Sequence, residues 1–276
     1  MQPVIFIFLA LSAALPLQAR ENAYDVLGKA LVPLANVLIA SSKTQNHAVS
    51  ATLVLDSATN LPGAPVLSNT SSITSGTAAD ATATANTLEI ALQSPDKLRL
   101  HANVLGQTAT ICRDGQQIWA NPGAQIEALI NAQALPKADP DYKLDQFRLP
   151  VTEKQLVFLP VLFQVEDAGD EAVDGENCMV LDVKLMPELA HSAHAGDYTA
   201  RLWVKADYKL AKIELMRPKW HAVILVKNLV YAPSLPPETW QPSHDEAMDL
   251  LQLTPARYKQ LLDALTSRWA AFKAQK

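Results

Sequence analysis

Several residue types are scarce in this 276-residue chain, and each scarcity excludes a class of protein. Two cysteines are too few for a disulfide-rich scaffold or a four-thiolate zinc site. Nine glycines exclude a collagen-like repeat or a glycine-rich linker. Lys and Arg number 23 against 28 Asp and Glu, and the formal net charge is −5. The chain therefore lacks the cationic surplus that drives non-specific binding of nucleic acid, and we expect no nucleic-acid partner.

Catalytic and metal-binding motifs are also missing. The sequence contains no G-x-S-x-G nucleophile elbow, no P-loop and no H-E-x-x-H zinc motif. His191 and His194 are metal-ligating residue types, but they fall between two predicted strands, in a segment that we expect to be a solvated loop. The sequence therefore predicts no catalytic residues, no metal and no cofactor.

Apolar residues are abundant, at 49% of the chain against 18% charged residues. Residues 4–17 form one almost unbroken apolar run, shorter than the roughly 20 residues that cross a bilayer. Such a run is typical of a signal peptide, and the small Ala19 precedes the expected cleavage site. We therefore predict that residues 1–19 are a signal peptide and that the mature chain is exported and soluble. An uncleaved anchor or a buried strand is the alternative.

Export would place Cys112 and Cys178 in an oxidising compartment. An even pair of cysteines there is compatible with one disulfide between them. The same two residues are equally compatible with buried free thiols, which behave as small apolar side chains. Both interpretations stay open on the sequence alone.

The remaining apolar residues alternate with polar ones at a period of two. After a predicted helix over residues 24–42, this alternation runs through roughly nine segments joined by short connections. Asp114-Gly115 is a tight hairpin signal between two of them. The pattern predicts an antiparallel sheet with one apolar face, and thus an α+β fold in which helices cover part of that face.

Three local predictions accompany this sheet. Residues 167–175 are acidic and predicted to form a turn. Trp203 falls on the polar side of its strand, where it would be either a contact surface or covered by another element. Residues 124–134 are predicted to form a short helix, and residues 57–87, rich in Ser, Thr and Ala, a long loop or a loop with ragged strand ends.

The C-terminal segment carries two helix-start signals. Ser243 with Glu246 three residues later is a capping box, and Thr254-Pro255 places proline at a first helical position. An amphipathic helix is predicted to follow, and its apolar stripe consists of Tyr258, Leu261, Leu262, Leu265, Trp269 and Phe272.

Six segments occur in the order found in a known family. They are residues 94–100 (SPDKLRL), 112–123 (CRDGQQIWANPG), 175–183 (GENCMVLDV), 200–215 (ARLWVKADYKLAKIEL), 226–229 (VKNL) and 235–242 (LPPETWQP). Together they resemble the LolA-like outer-membrane lipoprotein carriers. The resemblance implies a curved antiparallel sheet, an incomplete β-barrel, whose concave face is covered by helices and binds acyl chains. It implies a LolA-like domain over residues 20–242, followed by a helical extension over 243–276.

The resemblance also implies a function. It is that of a periplasmic protein that carries or accepts lipid-modified cargo in an apolar cavity without chemistry, with a membrane-bound donor or acceptor as partner. The alternative is an envelope regulatory or interaction protein of the same fold, which senses lipid-modified proteins through the cavity or a docking helix. In the carriers, an arginine contacts the lid, which is formed by the covering helices. The sequence around Arg99 makes that residue the candidate here. The residues expected to line the cavity are Leu53, Leu55, Leu88, Ile90, Leu98, Leu100, Leu181, Val183, Leu202, Val204, Ile213 and Leu215.

Overall fold

A single open antiparallel sheet of eleven strands dominates the structure, a computed structural model. The structure describes residues 21–39, 47–59, 86–104, 106–132, 139, 141–147, 159–192, 198–218 and 220–274. The strands are β1 (Ala48–Thr59), β2 (Asn86–Gln93), β3 (Lys97–Val104), β4 (Gln107–Asp114), β5 (Gln117–Asn121), β6 (Phe163–Val173), β7 (Glu176–Leu185), β8 (Thr199–Lys205), β9 (Leu210–Arg217), β10 (Trp220–Ala232) and β11 (Leu251–Leu253).

The strand order is β11-β5-β4-β3-β2-β1-β10-β9-β8-β7-β6, and every pairing is antiparallel. The sheet does not close, because β11 and β6 are its two edges. An α+β architecture built on an open, curved sheet is therefore confirmed, with two more strands than the sequence predicts. It agrees with the architecture that the resemblance to LolA-like carriers implies.

Helices cover the sheet at its two ends. They are α1 (Ala23–Ile39), α2 (Gly123–Asn131) and a C-terminal helix (Pro255–Ala274). No helix within these described residues is long and apolar enough to cross a membrane. Shorter helical pieces connect the strands, at Leu159–Leu162, Pro187–Ser192, Pro237–Trp240 and His244–Ala247.

Two hydrophobic clusters lie on the same face of the sheet, which we call the inner face. At the β6–β9 end, Val26, Leu27 and Ala30 of α1 pack against apolar residues of β6, β7 and β8. At the β4–β5–β11 end, α2 and the C-terminal helix pack against Ile118 and Leu253. A sheet with one apolar face must bury it against another layer, and in the described part of the chain these clusters supply that layer at the two ends, while α1 also comes close to β1.

The opposite, outer face holds two smaller clusters. Trp240, from the turn after β10, packs with Trp119 and Cys112. Trp203 packs with residues of β6, β7 and β9 and is only 2% exposed. Its indole N–H donates to Glu171 at 2.9 Å, and the Lys212 ammonium lies 3.9 Å from its ring centroid. A Trp at a polar position of the strand is thus covered rather than presented as a contact surface.

The acidic segment 167–175 is a strand rather than a turn. Strand β6 runs to Val173 and pairs with β7, and only Asp174-Gly175 forms the turn. The prediction is wrong because β6 is an edge strand whose side chains are mostly exposed, so acidic residues are tolerated there. Gly169 lies at a register irregularity within this strand.

The C-terminal extension differs from a purely helical segment. Its capping box is confirmed, because the Ser243 hydroxyl accepts from the Glu246 amide while the Glu246 carboxylate accepts from the Ser243 amide. Between the short helix and the C-terminal helix, however, β11 pairs with β5 and extends the sheet. The extension therefore forms part of the main body rather than an appendage.

The two cysteines are free and buried, which is the second of the two interpretations that the sequence leaves open. Cys112 lies in β4 and Cys178 in β7, and six strands separate these two in the sheet. They belong to different clusters on the outer face. Burial raises the pKa of Cys112 to about 12 and also raises that of Cys178, so neither is a reactive thiolate.

Two predictions fall outside the described residues. The signal peptide, residues 1–19, lies entirely outside them. The long Ser/Thr/Ala loop lies outside them over residues 60–85, while its first residues continue β1 and its last begin β2.

Candidate lipid-binding face

All twelve residues expected to line the cavity lie on the inner face. The registers show it strand by strand, since residues directly opposite each other share a face. Leu53 pairs with Leu88, and Leu202 pairs with both Leu181 and Ile213. The structure thus brings together on one surface Leu53, Leu55, Leu88, Ile90, Leu98, Leu100, Leu181, Val183, Leu202, Val204, Ile213 and Leu215.

Burial divides these twelve residues into two groups. Leu181, Val183, Leu202 and Val204 are buried under α1 and belong to its cluster, and Ile213 packs against that cluster. The other seven are half-buried and belong to neither helix-covered cluster of the described residues. We call these seven the central strip: Leu53, Leu55, Leu88, Ile90, Leu98, Leu100 and Leu215.

The members of the central strip lie on β3, β2, β1 and β9, and β10, between β1 and β9, presents Ile224 on the same face. Neighbouring strands lie about 4.8 Å apart, so five strands make a surface about 19 Å wide. The covered ends of the inner face are ordinary filled core. Its centre instead presents leucine and isoleucine side chains that keep part of their surface in contact with solvent.

Helix α1 borders the central strip and is tied to the sheet by contacts of two kinds. Its buried side chains pack on β6, β7 and β8. Its exposed start is held by Lys29, whose ammonium pairs with Glu21 and donates to the Tyr208 hydroxyl at 3.1 Å. The hydrogen bond from Lys29 lowers the pKa of Glu21. Exposed pairs of this kind stabilise little and exchange readily with water.

Arg99 lies on the outer face, opposite the strip formed by its neighbours. Its guanidinium donates to both oxygens of the Glu246 carboxylate at 2.7 and 2.8 Å. It also donates to the carbonyls of Thr239 and Gln241, each at 3.0 Å. The role that the resemblance implies for Arg99 is thus corrected: it fastens the C-terminal segment to the outer face instead of a lid to the inner one.

Glu246 is the centre of this outer-face network and is only 6% exposed. The buried Thr110 hydroxyl donates to it at 2.6 Å, and His101 lies 2.7 Å from that hydroxyl. Burial alone would raise the pKa of Glu246, but hydrogen bonds from Thr110 and Ser243 and the charge of Arg99 lower it below its ordinary value. The carboxylate is therefore charged in the folded protein at neutral pH.

Sequence reasoning missed this network. The capping box marks Glu246 as a residue of a helix start, but its partners on β3 and β4 are more than 130 residues away in the chain. No periodicity connects such distant residues. The arrangement is suited to holding the C-terminal segment in place rather than to chemistry.

The structure describes only one of the two histidines that the sequence singles out as metal-ligating types. His191 lies in the short helix Pro187–Ser192 where a loop is predicted, and His194 falls outside the described residues. Within the described ranges no group of three His, Cys, Asp or Glu side chains is positioned to hold a metal ion.

The comparisons with known proteins find similar structures but no family model and no curated protein that matches the chain. The Mycobacterium tuberculosis lipoprotein LppX is 9% identical, with a TM-score of 0.39 over 78% of this chain and 97% of LppX. The Pseudomonas aeruginosa MucA/MucB complex matches at 17% identity and a TM-score of 0.42, over 85% of this chain and 64% of that chain.

A LolA superfamily protein from Nitrosomonas europaea, NE2245, is 10% identical, with a TM-score of 0.28 over 80% of this chain and 98% of that one. At these scores the neighbours add no evidence about the function of individual residues, which rests on the geometry of the inner face.

Proposed function

We propose that this protein is an exported carrier or acceptor of lipid-modified cargo and binds acyl chains on the central strip of its inner face, without chemistry. The observation that carries the proposal is the division of that face. Two helix-covered clusters close its ends, and seven half-buried aliphatic side chains remain between them. A contiguous group of aliphatic side chains that keeps part of its surface in contact with solvent is suited to bind an apolar ligand.

The energetics of such binding need only apolar area. Each methylene of an acyl chain that leaves water contributes roughly 0.8 kcal/mol. A chain that buries about eight methylenes on the strip gains about 6 kcal/mol before the cost of ordering it is subtracted. A binding free energy no larger than this favours reversible transfer of the acyl chain between a donor and an acceptor.

Helix α1 is the part of the cover suited to move in this proposal. The exposed Lys29 contacts at its start can break at little cost. Its buried side chains, including Leu27, resist complete detachment. A shift of α1 that keeps the cluster packed would widen access to the strip from the β9 side.

Mass spectrometry tests this function on protein purified without detergent from cells that make it. The proposal expects acyl-bearing lipid or lipidated peptide in a fixed molar ratio to protein after organic extraction. A reproducibly empty protein, whose strip also fails to take up added fatty acid, would contradict it. Export is tested separately, by determining the N-terminal residue of the protein from cells. Cleavage of the predicted signal peptide would make Arg20 the first residue.

A regulatory protein of the same fold is the second candidate, and one observation favours it. Leu262 and Leu265 of the C-terminal helix are 42% and 43% exposed, while Tyr258 and Leu261 of the same helix are buried. A double substitution, Leu262→Gln with Leu265→Gln, leaves the buried side of the helix intact. If partner binding is lost while acyl binding persists, the helix is a docking element. If neither changes, that candidate is wrong.

A further inference from the structure

Strand β10 is paired on both sides for only half of its length. Its ladder with β9 ends at the pair Leu225–Lys212, whereas its ladder with β1 continues to Ala232. From Val226 onward, β10 therefore has a sheet partner on one side only among the described strands. Its main-chain groups on the other side face away from β1.

Strand β9 begins at Leu210, only two residues before Lys212, and β10 carries a bulge just beyond the end of their ladder. The register between β1 and β10 shifts between Ser50 and Thr52, opposite Val230 and Lys227. Asn228, within the bulge, has φ = 52°, the left-handed conformation that asparagine tolerates better than most residues. Bulges bend the strand that carries them, so β10 turns away from β9 just after their last pair.

The separation opens a cleft of about 680 Å³ between β10 and the β8–β9 hairpin. Val226 and Leu229 of β10 line one side, and Leu210 and Ala206 line the hairpin side. Val226 and Leu210 are apolar residues of the inner face, so the cleft opens beside the central strip.

The charged groups around the cleft are already paired. Lys205 pairs with Glu176 at 2.6 Å, and Lys209 pairs with Asp207 at 3.0 Å. Lys227 reaches across to Asp174 in the β6–β7 turn. A compensated rim disfavours a phosphate or another strongly charged ligand. The groups left to bind a ligand are the main-chain N–H and C=O groups of β10, the amides of Asn177 and Asn228, and the apolar side chains beside them.

The outer edge of β6 provides a contrast within the same sheet. That edge carries Glu166 and Glu171, charges that discourage another strand from pairing. The half-paired segment of β10 has the sequence VKNLVY, whose only charged residue is the paired Lys227. Val230, on this segment, is 48% exposed.

We propose that this cleft binds an extended, uncharged peptide segment of a partner protein, which adds to β10 as a strand. Main-chain groups on a sheet edge are complementary to another main chain, and side-chain pockets at alternate positions supply the selectivity. Residues 226–231 present about 20 Å of edge, enough for a segment of about six residues. Alternate side chains of the bound segment would face Val226 and Leu210. This site takes polypeptide and is distinct from the acyl site on the strip.

A labelled peptide tests the proposal on the mature full-length protein. The probe is a fluorescein-labelled eight-residue peptide of alternating Thr and Val, and its control is the same peptide N-methylated at every second residue. Fluorescence anisotropy should detect binding of the first. The second should bind at least about tenfold more weakly, because each lost main-chain hydrogen bond is worth about 1 kcal/mol. Hydrogen exchange should show new protection of residues 226–231.

Matched variants locate the site. Ala206→Trp fills the cleft from an exposed turn position and should reduce affinity at least about tenfold, whereas Ala128→Trp, at an exposed position on α2, should not change it. Circular dichroism confirms that both variants fold. Equal binding of the two peptides, equal binding by the two variants, or protection that appears along β6 instead of β10 would each overturn the proposal. So would protection of residues 226–231 that rises with protein concentration alone, which would make a second copy of the chain the occupant.

Discussion

Glu246 provides the sharpest test of how the C-terminal segment is held. Replacing it with alanine removes the acceptor of two hydrogen bonds from Arg99, one from Thr110 and one from the Ser243 amide. The Arg99 side chain, 20% exposed, would then lose its carboxylate partner. Breaking a buried ion pair costs about 3 to 5 kcal/mol, and the partial exposure of Arg99 places the expected loss near 3 kcal/mol.

The assay is thermal unfolding followed by circular dichroism. For a chain of this size 1 kcal/mol lowers Tm by about 2 to 4 °C, so Glu246→Ala should lower it by about 9 °C. Glu238→Ala, at an exposed position in the neighbouring turn Pro237–Trp240, should leave Tm within about 2 °C of the wild type. If the two variants had the same Tm, the network would not hold the segment.

The same carboxylate predicts a dependence on pH. The pKa of Glu246 is lower in the folded protein than its ordinary value, because the contributions of Thr110, Ser243 and Arg99 outweigh that of burial. A lowered pKa gives stability that is present above the unfolded-state pKa and is lost as the pH falls through the folded-state pKa. The difference in stability between wild type and Glu246→Gln should therefore shrink below about pH 4. A difference that grows in acid would contradict this assignment.

Two further predictions concern the buried core. In chemical denaturation, Leu27→Ala should lower the free energy of unfolding by about 3 kcal/mol, because Leu27 is 1% exposed in the cluster under α1. Leu34→Ala, at a position 38% exposed on the same helix, should lower it by less than about 1 kcal/mol. Equal losses would mean that α1 does not pack as described. A thiol reagent, used without reductant, should label Cys112 and Cys178 only after unfolding, and two thiols should then react. If no thiol reacted in the unfolded protein, the two cysteines would be joined by a disulfide.

The inner face could be predicted because β-sheet alternation is local. Leu53 and Leu55 occupy one face by their spacing alone, and the same rule places Leu202 and Val204 without any knowledge of their partners. The rule does not say which of these residues a helix covers. That depends on α1 packing against β6, β7 and β8, which are more than 100 residues further along the chain.

The errors have physical causes of the same kind. An exposed edge strand such as β6 can be acidic, so its composition imitates a turn. Trp203 lies at a polar position of its strand, but the stem of Lys212 and the carboxylate of Glu171 cover it. The oxidising compartment that the predicted signal peptide implies leaves the state of the cysteines open, because strand order decides whether two cysteines meet.

The central claim, that the central strip binds acyl chains, is tested most directly with a fluorescent long-chain fatty acid and two neighbouring substitutions. Leu53 faces the strip, while Val54, the next residue of β1, faces the other side of the sheet, and both are half-buried. Leu53→Gln should weaken probe binding about tenfold, since a leucine contact contributes about 1.4 kcal/mol or more. Val54→Gln should leave the affinity within about twofold. Equal effects of the two substitutions, or no binding by the wild-type protein, would contradict the claim.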